Sequence, residues 1–389
     1  MTIESVNLFF SIVLTGICLF SAHLLILRRR DPGVYFPLAL LFLFQGVSTG
    51  VAALAETYDP GGGGPMHGLN IIAGGLEFAI PFLFWVYVRA LTTEGETERI
   101  PKLRTHVIPI VVVTLCFWSL LFFPTDLSEG ELEGDLPRLV AVLLIGVAIL
   151  IADLLFKIMI GTYLYLTIRR LIAYQARLKD VFSSTENREL VWVWVITASA
   201  GFYLCVNVAF TFLIWTGVFS EEVYGGWVSA LSSFSLLALF WVIGVWGLRQ
   251  RPGLVRRSVT EQREPEVAPA QKYEKSALDN ERAERIARKI EAAMSKDLLY
   301  RDPNLSLWDL AKHIGVTSHY VSQSLNTHLG QSFFELVNGW RIKDAITQLT
   351  TTDATILVIT YDVGFNSRSA FYKAFKRETG KTPTDLRKK

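Results

Sequence analysis

Before Arg249 the chain contains seven apolar windows, at about 5–27, 34–56, 69–91, 105–124, 138–167, 190–216 and 224–248. Each is close to the ~20 residues that carry a helix across the hydrocarbon core of a bilayer. This pattern restricts the N-terminal part to a bundle of hydrophobic helices. Composition sharpens the point. Hydrophobic residues make up 51% of the chain and charged residues only 19%, and most of those charges lie after Arg249. Two very different parts are expected, divided near that residue.

The charges also give an orientation. Arg28–Arg30 fall in the first connection, Arg99, Lys102 and Arg104 in the third, and Arg169, Arg170, Arg177, Lys179 and Arg188 in the fifth; Arg249, Arg251, Arg256 and Arg257 follow the last window. The alternate connections 57–68, 125–137 and 217–223 hold no Lys or Arg, but carry Asp126, Glu129, Glu131, Glu133, Asp135, Glu221 and Glu222. Cytoplasmic loops are the basic ones, so an outside N-terminus and a cytoplasmic C-terminus are expected. The first window has no basic residues ahead of it and is read as an uncleaved anchor, not a signal peptide. Trp85, Tyr87, Trp192, Trp194, Trp215, Tyr224, Trp227 and Trp246 lie near window ends, as amphipathic rings at a membrane interface do.

Several chemistries are excluded. Cys18, Cys116 and Cys205 all sit inside apolar windows without the spacing of a zinc site, and the six histidines lack ligand spacing; no metal or cofactor is implied. The run Gly61–Gly64 is not followed by Gly-Lys-Ser/Thr, so it is a turn and not a phosphate loop. No catalytic constellation is present, and the chain is expected not to be an enzyme.

Four polar residues fall at membrane depth: Glu77 in the third window, Asp153 and Lys157 in the fifth, and Asn207 in the sixth. An isolated charge at the centre of a span costs ~2.5–3.5 kcal/mol on insertion scales. Asp153 and Lys157 are four residues apart, hence on one helix face, and can neutralise each other. The four form a candidate sensing cluster inside the bundle; the alternative is a structural ion pair that only orients helices. Gly46 and Gly50 form a GxxxG beside Gln45, which favours close helix packing within the bundle over dimerisation.

Residues 249–278 contain Pro252, Pro265 and Pro269 with few large apolar side chains, and such a composition cannot bury a core. A tether of about thirty such residues reaches ~30 Å, which keeps whatever follows it close to the membrane. From Asp279 the pattern turns helical, with Ile286, Ile290, Ala293 and Met294 on one stripe. Two similar units follow, at about 305–329 and 354–380. In the first, Ser306 with Asp309 begins a helix as a capping box does, Leu310, Ala311 and Ile314 point inward, Gly315 turns, and Thr317 or Ser318 caps a second helix to about Leu329. In the second, Ile356, Ile359 and Val363 point inward, Gly364 turns, and Asn366 or Ser367 caps a helix carrying Phe371 and Phe375. A helix over 332–350, with Phe333, Val337, Ile342, Ala345 and Leu349 apolar, joins them. Each unit has the small residues and tight turn of a helix-turn-helix.

The segment GFNSRSAFYKAFKRETGKTPTDLR resembles the second helix-turn-helix signature of the AraC/XylS family, and RIKDA resembles its connecting-helix motif. The resemblance covers about the last 110 residues. It says nothing about the apolar part; taken together with the seven windows, the expectation is an all-α protein: a seven-transmembrane helix bundle (1–248), a charged linker (249–278) and an AraC-type domain of two helix-turn-helix units (279–389). The resemblance implies recognition helices in successive major-groove segments of double-stranded DNA, about one turn (~34 Å) apart. Base contacts are then expected from His319, Ser322 and Gln323 in the first recognition helix and from Arg368, Ser369 and Lys373 in the second. Gln323 suits adenine and Arg368 guanine, each good pair giving ~1–3 kcal/mol of discrimination. Lys376, Arg377 and Lys381 are expected on phosphates, where they add affinity and salt dependence. Two positions depart from the family. Leu325-Asn326-Thr327 stands where Phe-Lys-Lys is usual, so the second unit is expected to supply most backbone electrostatics. Thr360 replaces an alanine, and its hydroxyl needs a local partner.

The function expected is a transcription regulator in the inner (cytoplasmic) membrane of a bacterial cell, multi-pass, with its DNA-binding domain in the cytoplasm. Its expected partners are promoter DNA, RNA polymerase, the lipid bilayer, a small-molecule or protein signal, and a second copy of the chain. Two other classes stay open: a transporter or membrane-enzyme bundle fused to a DNA-binding domain, and an inert membrane tether for such a domain.

Overall fold

The computed structural model describes residues 3–28, 32–58, 64–93, 103–122, 136–186, 188–216, 221–250 and 276–387. Residues 251–275 of the expected linker, residues 61–63 of the glycine run, and the loop charges Arg29, Arg30, Arg99, Lys102 and Asp126–Asp135 lie outside the described residues. The chain divides into two compact units. One comprises Met1–Leu171 with Val191–Val255, the other Ile172–Leu190 with Arg256–Lys389. The second unit thus takes in the end of the fifth connection, far away in sequence from the rest of it.

The first unit contains α1 (Ile3–Ile26), α2 (Pro32–Tyr58), α3 (Pro65–Gly74), α4 (Ile80–Thr92), α5 (Leu103–Trp118), α6 (Leu136–Val181, up to Leu171), α7 (Val191–Trp215) and α8 (Glu221–Arg249). Among the described residues, seven segments are long and apolar enough to cross a membrane: Ser5–Ile26, Gly33–Tyr58, Pro65–Thr92, Arg104–Phe122, Leu136–Val181, Val191–Leu213 and Ser232–Arg249. They match the seven windows in order, with two differences.

The third segment is not one helix. A 3₁₀ turn, Gly75–Ala79, separates α3 from α4. Pro81 near the start of α4 has no N–H to give to the carbonyl of Glu77, so the α-helical ladder cannot run through. Gly75 also packs closely: a Cβ there would lie 2.5 Å from Trp118 Nε1. The fifth segment, α6, is 46 residues long, or roughly 70 Å at ~1.5 Å per residue, far more than the ~30 Å hydrocarbon core needs. Its buried stripe runs Ile145, Ala152, Met159, Tyr163, Thr167, Leu171, Tyr174 and Leu178. The other side of its apolar part exposes Leu143, Leu144, Leu150 and Leu154, each more than half exposed.

The glycine pair of α2 is used inside the bundle. A Cβ on Gly46 would meet Cys18 and Leu19 at 3.1 Å, and one on Gly50 would meet Thr15 at 3.1 Å, all on α1. The approach is close enough for the Thr15 and Thr49 hydroxyls to hydrogen-bond at 3.1 Å.

The second unit adds α9 (Ser276–Ser295), α10 (Leu307–Ile314), α11 (Ser318–Ser324), α12 (Phe333–Thr351), α13 (Ile356–Asp362), α14 (Arg368–Thr379) and α15 (Pro383–Arg387). Among the described residues there is no strand, only one isolated antiparallel bridge, Phe182 to Ser306. The fold is all-α. Two apolar cores form in the second unit. One gathers Ile286, Ile290, Ala293 and Met294 of α9 around Leu310, Val321 and Leu325. The other gathers Ile359, Val363, Phe371 and Phe375. Helix α12 joins them, giving Phe333 and Val337 to the first core and Ile342, Ala345 and Leu349 to the second.

Candidate nucleic-acid interface

Each helix-turn-helix begins with a cap. The Ser306 hydroxyl accepts from the Asp309 N–H while the Asp309 carboxylate accepts from the Ser306 N–H at 3.0 Å, a complete capping box on α10. Gly315 then ends α10 in the left-handed conformation, φ 68°, which a residue with a Cβ adopts only at a cost. Thr317 has the backbone geometry of an N-cap for α11 but makes no side-chain cap bond. The first recognition helix is shorter than expected. Regular α-helix stops at Ser324, and Leu325–Leu329 form a π-helical turn closed by Gly330.

The second unit is tighter. Thr355 caps α13 through Val358 N–H, and the buried Thr360 hydroxyl donates to Ile356 O at 2.7 Å, the local partner that its position requires. Gly364 turns at φ 96°, and a Cβ there would lie 2.7 Å from the main-chain oxygens of both Tyr300 and Arg301. Ser367 rather than Asn366 caps α14, accepting from Ala370 N–H at 3.2 Å. Asn366 instead donates to Pro303 O at 2.9 Å.

Of the expected base-contact residues, His319, Arg368, Ser369 and Lys373 are exposed, while Ser322 and Gln323 are half-buried. Lys376, Arg377 and Lys381 are exposed. Two arginines are already oriented. Arg368 lies over the Tyr372 ring at 5.0 Å and donates to its hydroxyl at 3.2 Å, which helps to hold that phenol below its ordinary pKa. Arg377 pairs with Glu378 at 2.8 Å and lies over Phe334 at 5.6 Å. Trp340 is half-buried and stacks on Tyr300, Trp308 meets Phe182 edge-on, and Phe371 is fully buried. These aromatics serve packing.

Residue types and periodicity give no hint of the part played by Arg341. It is 1% exposed, and its guanidinium donates to Tyr300 O and Asp302 O at 2.7 Å each, to Ser183 Oγ at 3.2 Å and to Asn338 Oδ1 at 3.4 Å. Burial pushes its pKa down to about 10, so it stays charged at neutral pH. Segment 182–190 is equally unannounced. Both the N–H and the hydroxyl of Ser183 donate to Leu305 O, at 3.2 and 2.7 Å. Glu186 accepts from the Ser367 hydroxyl at 2.5 Å. The one available signal was the charge sequence of 179–189, which by itself suits an ordinary surface loop.

The four polar residues expected at membrane depth have the following hydrogen-bond partners. Glu77, in the 3₁₀ turn, accepts from Ser48 Oγ at 2.7 Å and from Gln45 Nε2 at 3.3 Å. Lys157 is ion-paired with Asp153 and donates to Thr211 Oγ1 at 3.0 Å; Thr211 in turn donates to Asn207 O. Gln45 and Ser48 are thus the hydrogen-bond partners of Glu77, and Asp153 and Thr211 those of Lys157.

Comparison with known proteins places the second unit. The profile of a helix-turn-helix domain matches residues 310–389. A Streptomyces lividans protein described as an AraC-like transcription regulator is 39% identical over 93 residues, covering 23% of this chain and 30% of its own length. An uncharacterized HTH-type transcriptional regulator of Staphylococcus aureus strain COL is 31% identical over 112 residues, covering 29% of this chain and 14% of its own length. The chain thus spans less than a third of either relative. Among solved structures, the C-terminal domain of AraT, a response regulator from Geobacillus stearothermophilus, is 26% identical, with a TM-score of 0.24, over 26% of this chain and 83% of that one.

The C-terminal part of the chain is a DNA-binding helix-turn-helix domain. It is of the AraC type.

Proposed function

We propose that the chain is a membrane-embedded, sequence-specific transcription regulator that couples a signal met in the bilayer to promoter occupancy. The observation that carries this is the coexistence, in one polypeptide, of an AraC-type DNA-binding domain and seven helical segments long and apolar enough to span a membrane. The exposed leucines of α6 support the membrane assignment, since contiguous apolar surface of that kind is costly in water. The alternation of basic and acidic connections supports a cytoplasmic C-terminus.

In this proposal His319, Ser322, Gln323, Arg368, Ser369 and Lys373 read bases, and Lys376, Arg377 and Lys381 hold phosphates. RNA polymerase and a second copy of the chain are the partners that promoter action calls for. Glu77, held by Gln45 and Ser48 at a break in the third span, is the favoured sensing residue, because a helix break offers a hinge and a signal needs two arrangements to bias. The test is genome-wide mapping of the DNA bound by the full chain, with expression changes on deletion. The same mapping with α1–α8 replaced by one unrelated span separates a sensor from an inert tether. Preserved regulation would favour the tether.

A further inference from the structure

The segment that ends the fifth connection carries two carboxylates, and it lies against the second recognition helix. Phe182 pairs with Ser306, the cap of α10, and packs edge-on against Trp308 at 5.6 Å. Ser183 is fixed by Leu305, Asn338 and Arg341. Glu186 accepts a hydrogen bond from the hydroxyl of Ser367, the cap of α14. A cleft of about 310 Å³ is lined by Glu186 and by Glu189, whose carboxylate accepts from Thr185 Oγ1, together with Ser369, Lys373 and Arg377 of α14. Those three are spaced by four residues along α14, so they form one face of the helix. It is the face expected to meet DNA.

A carboxylate at the start of a recognition helix occupies the place that suits a backbone phosphate, since main-chain N–H groups and the helix dipole favour an anion there. Both cannot sit there together. We propose that segment 182–190 is an intramolecular occluder: Glu186 stands in for a phosphate at the cap of α14, with the Glu189 charge lining the same cleft, and DNA engages that helix only after the segment leaves. The inference rests on the DNA-binding function proposed above. It also identifies the moving part. In the chain, segment 182–190 follows directly on α6, whose apolar stretch is a candidate span; the proline-bearing linker 249–278 is not required to carry the signal.

The test uses the full chain in lipid nanodiscs and a random-sequence 40-base-pair duplex as probe. In the Glu186→Gln, Glu189→Gln double variant, the apparent Kd should fall about tenfold near 100 mM salt. The plot of log K against log salt should steepen by about one, as expected when one more phosphate is engaged. On a Ser184→Cys background, maleimide labelling of the half-buried position 184 should quicken several-fold when the duplex is added. Binding by the double variant alone also supports occlusion. Equal or weaker binding by a folded double variant, with labelling at 184 unmoved by DNA, overturns it and leaves the segment a structural brace. If no folded form binds the duplex, it is the DNA-binding function that fails.

Discussion

Arg341 holds Ser183 from 158 residues away in sequence, with its guanidinium 3.2 Å from the Ser183 hydroxyl and 3.4 Å from its carbonyl oxygen. Among the described residues no carboxylate hydrogen-bonds this buried cation; main-chain oxygens of Tyr300 and Asp302 accept its shortest bonds. Replacing Arg341 with Ala would leave the oxygens of Tyr300, Asp302 and Ser183 short of donors. Each unsatisfied buried group costs ~1–3 kcal/mol. We expect a loss of about 3–5 kcal/mol in the second unit, with Arg341→Lys a poor rescue because a single ammonium cannot reproduce the fork. Thermal unfolding of the purified full chain, read with limited proteolysis of residues 276–387, checks this; a drop below ~1 kcal/mol would contradict it.

The two turn glycines differ in kind. At Gly315 a Cβ meets nothing within 4 Å, so Gly315→Ala should cost only the left-handed backbone penalty, ~1–2 kcal/mol. At Gly364 a Cβ would come within 2.7 Å of two main-chain oxygens that cannot move aside cheaply. Gly364→Ala should therefore cost clearly more, about 3 kcal/mol or above by the overpacking range. Denaturant midpoints of the two variants would show the ranking directly.

On DNA, the second recognition helix should dominate. Replacing Lys373 and Arg377 with Ala should weaken binding to random-sequence duplex more than replacing His319 and Gln323, and should flatten the salt slope by up to about two. Titrations at several salt concentrations separate the pairs. The reverse ranking would move the main electrostatic contact to the first unit.

Acid should loosen the start of α12. Glu335 accepts from the Ser332 N–H at 2.9 Å and from its hydroxyl, and these bonds hold its carboxyl below the ordinary glutamate value. A depressed carboxylate pKa adds stability that is complete above the unfolded-state value and is lost as pH falls through the folded one. The full chain should therefore lose stability on acidification below about pH 4.5, and Glu335→Gln should lose less across that window. Parallel melts of the two forms at stepped pH measure the difference.

On the sensing role proposed above, Glu77→Gln should change the signal response while the Asp153→Asn, Lys157→Met pair leaves it intact, because of these three Glu77 alone sits in the 3₁₀ turn, held there by Gln45 and Ser48. Reporter output in cells, normalised to the amount of chain recovered in membranes, tests both. An altered response in the pair alone would transfer the sensing role to α6.

The elements legible in the sequence are those set by neighbours in the chain. The Ser306–Asp309 box, the turns at Gly315 and Gly364, and the apolar stripe of α12 each follow from spacings of three, four or seven residues. Seven apolar segments were visible for the same reason. The 3₁₀ break at Gly75–Ala79 was less visible, although Pro81 marks it, because hydropathy averages across a single turn. The role of Arg341 was hidden, since an arginine in a helix is ordinarily solvated and only contacts with residues 183 and 300–302 make it a core residue. The docking of segment 182–190 was hidden as well, because nothing within the segment specifies a partner 120 or more positions away. The π-helical turn at Leu325–Leu329 likewise has no signature in residue type.

Because Gly46 and Gly50 already nest against Cys18, Leu19 and Thr15, the small-residue seam of α2 is closed within a single polypeptide. Any pairing of two copies in the bilayer must then be built on other helices, and the leucine-lined outer side of α6 offers the ground for it. Bulky replacements at those glycines should disturb monomer folding before they disturb assembly.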